Sequence, residues 1–272
     1  MSATAVARLA AGAPEAPTAE APTAEAPHGT AACVNCGAPR AGPFCAACGQ
    51  RARDGRLTLG HVAQHVAGEL TPVDRGLAFT VLAMLRRPGQ APREYVDGRT
   101  VRYTGPVKFF ALLAGLAQLL ALRTRFLPEM VDGFFDRGAG PTVSQAAALA
   151  FLARYFVSLG AVAVPVFAWW TWLLCRRTRL NFAEHVVLAL YTGAVQVAAF
   201  MLLSWLVVER LPIPKIDGIT LVLVPIYQTW ALAQFTGLSP ARAAWRVALA
   251  SVLTVASVTV ALAVVLAALG RR

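Results

Sequence analysis

Cys33-Val34-Asn35-Cys36-Gly37 and Cys45-Ala46-Ala47-Cys48-Gly49 repeat one pattern, two cysteines two residues apart followed by a glycine. A tight turn in each copy brings two thiolates to one side, and the glycine lets the backbone curl so that its amides face the sulfurs. Four thiolates arranged in this way suit tetrahedral Zn(II), with Cys33, Cys36, Cys45 and Cys48 as ligands. Iron in a rubredoxin-like site uses the same ligands, but nothing else in the chain points to electron transfer, so zinc is the expectation. The rival reading is two disulfides, which requires this end of the chain to face an oxidising compartment. Four cysteines leave no open coordination position, so the expected role of the zinc is structural. Val34 and Phe44 are the only sizeable apolar side chains nearby, and metal binding would supply most of the folding energy. Cys175 closes a distant apolar run and reads as a packing residue.

Two further groups of residues could do chemistry. His61, His65 and Glu69, in steps of four, share one stripe of a helix, as metal ligands or an acid–base group would. They fit the polar flank of an amphipathic helix equally, and without a His-Glu-x-x-His pattern or a carboxylate cluster the flank is preferred. The other group lies between Arg86 and Phe110, where six cations precede an apolar run. Juxtamembrane cations hold a segment in the cytosol, and each attracts anionic lipid by about 1 kcal/mol. Arg87, Arg93, Tyr95, Arg99, Arg102, Tyr103 and Lys108 are the candidates for contact with lipid or a partner, arginine's planar fork suiting a phosphate head.

These residues need elements to hold them, and composition says which. The chain is 57% hydrophobic and 14% charged, with a mean hydropathy of +0.57, a balance that points to lipid as the solvent. Residues 1–30 repeat Ala-Pro-Thr-Ala-Glu and read as a disordered tail. A signal peptide is disfavoured there, because the apolar run near Ala3 to Ala11 is short and broken by Arg8. Residues 31–52 form the zinc ribbon and residues 53–106 a cytosolic or interfacial segment. Within it, Thr58 caps a helix bearing Leu59, Val62, Val66 and Leu70, and Thr71-Pro72-Val73-Asp74 starts a second that ends at Arg86-Arg87-Pro88-Gly89. The second helix has an apolar stretch, Leu77 to Leu85, far short of the ~20 residues a span needs, so it is expected along the membrane surface or against the bundle.

Residues 107–272 form a transmembrane helical bundle. Five spans are expected, over Val107–Leu122, Tyr155–Leu174, Val186–Val208, Ile219–Phe235 and Val247–Leu269. Arg176, Arg177 and Arg179 after the second span, Arg242 and Arg246 before the fifth and the basic segment before the first put the N-terminus in the cytosol. Trp169, Trp170, Trp172, Trp205 and Trp245 fall at span ends, where indole rings favour the interface. No ionised residue lies at a span midpoint: Arg154, Glu184, His185 and Arg246 sit near span ends and are read as snorkelling. Gln196, Gln228, Ser251, Thr254 and Ser257 read as interhelical contacts. The fold class is thus an all-α polytopic membrane protein with a small N-terminal zinc ribbon whose cysteines, in a reducing cytosol, hold metal.

The segment from Arg86 to Phe110, taken with the ribbon, resembles an uncharacterised bacterial membrane-protein family. Its members have a short N-terminal zinc ribbon, an Arg-Pro-Gly turn, Arg-Glu-Tyr followed by Gly-x-Arg and Arg-Tyr, and Pro and Phe opening the first span. The matching positions are the four cysteines, Arg87, Pro88, Gly89, Arg93, Glu94, Tyr95, Gly98, Arg99, Arg102, Tyr103, Pro106 and Phe109, so the resemblance covers roughly residues 33 to 115. It implies the architecture and the bacterial inner membrane, and it implies no activity. No nucleophile, base and metal assemble, so the expected function is a non-enzymatic binding or scaffold protein whose ribbon recruits a protein partner. The alternative is a membrane enzyme or carrier acting on an anionic lipid-type substrate at the cytosolic face. Nucleic acid is a disfavoured partner, because the cations gather at membrane borders and no base-stacking platform is evident.

Overall fold

The computed structural model describes residues 31–52, 55–62, 75–123, 160–210 and 216–269. The 1–30 tail, His65, Glu69, the Thr71-Pro72-Val73-Asp74 start signal and residues 124–159 lie outside them.

The cysteine module is built from two small antiparallel units. β1 (Ala31–Ala32) pairs with β2 (Pro39–Arg40), Ala31 opposite Arg40 and Ala32 opposite Pro39, and Phe44 bridges Arg51 in the second unit. Beyond it, besides a helical turn at 59–62 and a 3-10 turn at Arg176–Thr178, the described residues form α1 (Arg75–Arg86), α2 (Gln90–Val96), α3 (Pro106–Arg123), α4 (Gly160–Leu174), α5 (Phe182–Arg210), α6 (Ile216–Thr236) and α7 (Pro240–Leu269). Their ends follow local chemistry. Pro106 and Pro240 open α3 and α7, where the missing amide has no partner to lose. Asn181 and Glu184 cap α5 reciprocally: the Glu184 amide donates to Asn181 Oδ1 at 2.9 Å, and the Asn181 amide donates to Glu184 Oε2 at 2.8 Å. Gly237, at φ 73°, ends α6 in the left-handed conformation.

The expected apolar runs are all helical in their described parts, with α4 described from Gly160 onward. Two stretches, Phe182–Leu206 of α5 and Pro240–Val264 of α7, are long and apolar enough to cross a membrane. The apolar parts of α1, α3 and α4 are shorter.

The five long helices alternate in direction. Phe109 near the start of α3 stacks on Tyr191 of α5, while Ala117 and Ala121 further along meet Met201, so α3 and α5 run parallel. Trp172 of α4 meets Phe182 of α5, and Arg246 of α7 donates to the Leu174 carbonyl at the end of α4. His185 of α5 meets Phe235 of α6, and about three turns further along α5 and two turns back along α6 Gln228 donates to Gln196 at 2.9 Å. The starts of α3, α5 and α7 and the ends of α4 and α6 therefore share one end of the bundle. The largest core cluster lies there, where Leu57, Met84, Tyr95, Phe109, Tyr191, Phe235 and Val247 meet.

The helix sides turned away from this core are apolar too. Leu112, Leu116 and Leu119 of α3 and Val252, Val255, Val260 and Val264 of α7 are exposed.

Candidate metal centre and the face that docks it

Each Cys-x-x-Cys-Gly turn closes in the same way. The Gly37 amide donates to the Cys33 carbonyl and the Gly49 amide to the Cys45 carbonyl, both at 2.8 Å. The Cys33 amide donates to Ala38 and the Cys45 amide to Gln50, at 2.8 and 2.9 Å. Both glycines take positive φ, 76° and 72°, which a side chain would strain. The two turns face each other, so the Sγ atoms of Cys33, Cys36, Cys45 and Cys48 all lie within 4.8 Å of one another. Sγ of Cys33 is 3.7 Å from that of Cys48, and Sγ of Cys36 is 3.6 Å from that of Cys45. A tetrahedron with metal–sulfur bonds of ~2.3 Å has edges of about 3.8 Å, so the four sulfurs fit a metal ion.

The electrostatics call for a cation. The Cys36 and Asn35 backbone amides lower the Cys33 thiol from 9.0 to about 6. The Asn35 side chain and the Gln50 amide lower that of Cys48. At Cys36 the Ala38 amide also favours the thiolate, but the neighbouring sulfurs of Cys48 and Cys45 outweigh it and push the thiol up to about 12. Four thiolates cannot share this space without a positive charge between them.

Metal loading near neutral pH is therefore expected to expel a proton from Cys36, and acidification from about pH 8 to about pH 6, where the Cys33 thiolate protonates, to weaken binding. Calorimetry in buffers of different protonation enthalpy measures that proton; a heat independent of the buffer would contradict it.

The ribbon rests on the loop between α2 and α3. Gln50, 2% exposed, accepts from the Thr100 and Val101 amides at 3.1 and 3.2 Å and donates to Thr100 Oγ1 at 3.1 Å. Arg99 Nε donates to the Val34 carbonyl at 3.2 Å. Gly98, at φ 105°, turns the loop under Val34, whose Cγ2 lies 3.6 Å from where a Cβ would stand. A second attachment follows the ribbon. Arg56 donates to both carboxylate oxygens of Glu184, at 3.1 and 2.8 Å, and to the Arg179 carbonyl at 2.6 Å. Asn181 donates to the Leu57 carbonyl at 2.8 Å. Glu184 was expected to snorkel; it is instead held at the first turn of α5 by its cap and by Arg56. Glu184→Ala is expected to cost about 1–3 kcal/mol by removing both, read as a lower Tm of the purified chain.

The residues between Arg87 and Lys108 converge mainly on Glu94. Tyr103 donates to Glu94 Oε2 at 2.9 Å, and guanidinium nitrogens of Arg99 and Arg87 stand 3.6 and 3.9 Å from its oxygens. Burial first and the Glu94 hydrogen bond second push the Tyr103 hydroxyl up to about 12. Arg93 pairs with Asp97 at 3.3 Å and donates to the Phe235 carbonyl at 3.4 Å. Tyr95 is buried edge-on against Tyr191, with ring centroids 5.8 Å apart. Arg102 lies 5.0 Å over the Phe79 ring, and Lys108 is half-buried in the second residue after Pro106. The structure thus brings Arg87, Glu94, Arg99 and Tyr103 together and sets Arg93, Tyr95, Arg102 and Lys108 apart from them.

Pro88 and Gly89 dock this assembly on the end of α6. The Gly89 amide donates to Gln234 Oε1 at 3.0 Å, and Tyr227 donates to the Met84 carbonyl at 3.2 Å.

His61 is exposed, with Nδ1 2.9 Å from the capping Thr58 Oγ1. Cys175 is 1% exposed in the core, and burial pushes its thiol up to about 11, which suits packing.

Gln50 and the Arg56–Glu184 pair escaped the sequence reading. Asn181-x-x-Glu184 is a legible capping box, whereas nothing adjacent to Gln50 signals its burial. Comparison with known proteins bears on the Glu94 assembly. No curated protein and no solved structure matches the chain. Residues 74–117, which hold Gly89, Glu94 and Tyr103, match a family described as "Protein of unknown function (DUF3667)".

Proposed function

We propose that this chain is a multi-pass protein of the bacterial cytoplasmic membrane, with its N-terminal module in the cytosol, serving as a non-enzymatic binding or scaffold protein. A structural zinc ion in the ribbon fixes a surface that recruits a protein partner. The outward apolar rows on α3 and α7 support burial in lipid, since water would leave both without a partner. The ribbon-side end of the bundle supports the orientation. Arg176 lies over Trp172 and Arg246 over Trp245, at 5.0 and 4.9 Å, which pairs cations with interfacial indoles on the side where inward-facing charge gathers. Zinc is favoured by four soft ligands in a closed tetrahedron.

The observation that carries the binding role is Phe44. Its ring is 60% exposed on a ribbon that Gln50 and Arg99 hold in place. A large aromatic side chain presented to water on an immobilised module suits the centre of a protein contact. The test is photo-crosslinking in intact cells from a residue beside Phe44. A discrete crosslinked protein that disappears with Phe44→Ser, while metal content stays unchanged, supports recruitment. The same crosslinks with Phe44→Ser and with a cysteine-less ribbon would end the proposal.

A further inference from the structure

Between the ribbon, α2 and the turn after α4 lies a cavity of about 650 Å3. Its walls carry five arginines from four separate pieces of chain. Arg40 and Arg51 come from the ribbon, Arg56 from the segment after it, Arg93 from α2 and Arg179 from the turn before α5. Two carboxylates face the same space, and each is already engaged: Glu184 with Arg56 and Asp97 with Arg93. Among the described residues no acid pairs with Arg40, Arg51 or Arg179. Among the described residues that line the concavity, guanidinium groups outnumber carboxylates by three, around an apolar floor of Leu57, Val96 and Leu180, and like charges so gathered repel one another. An anion relieves that repulsion.

We infer that this cavity binds a phosphate-bearing anion. The charge excess suits a phosphate ester or a diphosphate better than a single carboxylate, and planar guanidinium forks meet tetrahedral phosphate oxygens two at a time. The volume is that of a small-molecule site rather than a surface dimple. Arg179 adds a separate sign. It is the only residue other than glycine at positive φ among those described, at φ 61°, so a guanidinium stands where glycine would rest without strain. The cations expected to meet an anionic headgroup were Arg87, Arg93, Arg99, Arg102 and Lys108; of these only Arg93 lines the cavity, and Arg40, Arg51 and Arg179 take the leading part. The site is independent of any partner of Phe44, because its readout is binding to the purified chain.

Phosphate of this kind comes either from a lipid head at the adjoining membrane face or from a soluble compound, and two probes separate them. The full chain, loaded with metal, is placed in nanodiscs of neutral phosphatidylcholine and titrated with pyrophosphate. In parallel, discs containing phosphatidic acid are analysed for lipid retained on the protein. Arg40→Gln with Arg51→Gln, and Arg179→Gly, which suits the local backbone, are expected to weaken at least one probe by about tenfold or more. Arg177→Gln, two residues before Arg179 and outside the cavity lining, is the control. Unchanged Tm and metal content verify that the variants fold. Loss of pyrophosphate binding in neutral discs assigns a soluble ligand, and loss of phosphatidic acid retention alone assigns a lipid head. Absence of binding to either probe, or losses no greater than in Arg177→Gln, would overturn the inference.

Discussion

Replacing Cys33 and Cys45 together by serine is expected to empty the metal site and to unfold the ribbon, which takes the loop beneath it out of order as well. The two cysteines lie in different knuckles, so neither half of the tetrahedron survives. The ribbon has no interior to fall back on: Val34 and Phe44, its largest apolar side chains, are 53% and 60% exposed. A structural zinc contributes an apparent ~10–16 kcal/mol in small modules of this type. The hydrogen bonds of Gln50 and Arg99 contribute about 0.5–1.5 kcal/mol each, so the docking face cannot hold an unmetallated ribbon in shape. Elemental analysis should fall from about one metal ion per chain to none. Hydrogen exchange should speed up over residues 31–52 and at the Thr100 and Val101 amides, which Gln50 holds. Full retention of metal in the double variant would sink the tetrahedral assignment.

Gly89→Ala should do more damage than one methyl suggests. The added Cβ would overlap the Ala231 carbonyl oxygen and come 2.5 Å from Gln234 Cβ and 2.7 Å from the Phe235 nitrogen. Most of these obstacles are backbone of α6, which no change of rotamer can move aside. Gly89 has an ordinary helical conformation, φ −98° and ψ −27°, so the position demands glycine through proximity and not through dihedral freedom. To admit the methyl, the α1–α2 turn must lift off α6. That movement would strain the Gly89–Gln234, Arg93–Phe235 and Tyr227–Met84 hydrogen bonds together. The expected cost is about 3 kcal/mol or more, at the upper end for overpacking. Gly115→Ala in α3, where a Cβ meets nothing within 4 Å, is the contrast and should stabilise by about 0.5–1 kcal/mol. Thermal unfolding of both variants in one detergent reads the difference directly; equal Tm values would mean that the turn does not dock as described.

What was legible beforehand depended on how local its cause is. The cysteine spacing and the glycine after each pair specified both turns, because each knuckle is closed by hydrogen bonds over a few residues. Apolar runs located α3, α5, α6 and α7, and Pro88-Gly89 marked where α1 stops. The Arg-Glu-Tyr and Arg-Tyr stretch was legible as a motif and was read as a charged surface, yet much of it turns inward. Tyr95 is 3% and Tyr103 6% exposed, and Glu94 gathers the cations around it. Periodicity cannot reveal this, since Arg99 and Tyr103 reach the Glu94 carboxylate only through the turn at Gly98, and Arg87 only across the turn at Pro88-Gly89. The arginine-lined cavity is further still from the primary sequence. Arg51 and Arg179 face one space because Gln50 seats the ribbon on one side and Arg56 ties it to Glu184 on the other.

That last tie has a consequence for biosynthesis. Arg56 and Glu184 are 128 residues apart in sequence, which a ribosome adding ~5–20 residues per second covers in roughly 6–26 s. Throughout that interval the ribbon is complete while its anchor on α5 has yet to be made. Translation thereby gives the cysteines a period in which all sides of the nascent module are open to a metal donor, before the finished helices close over one of them.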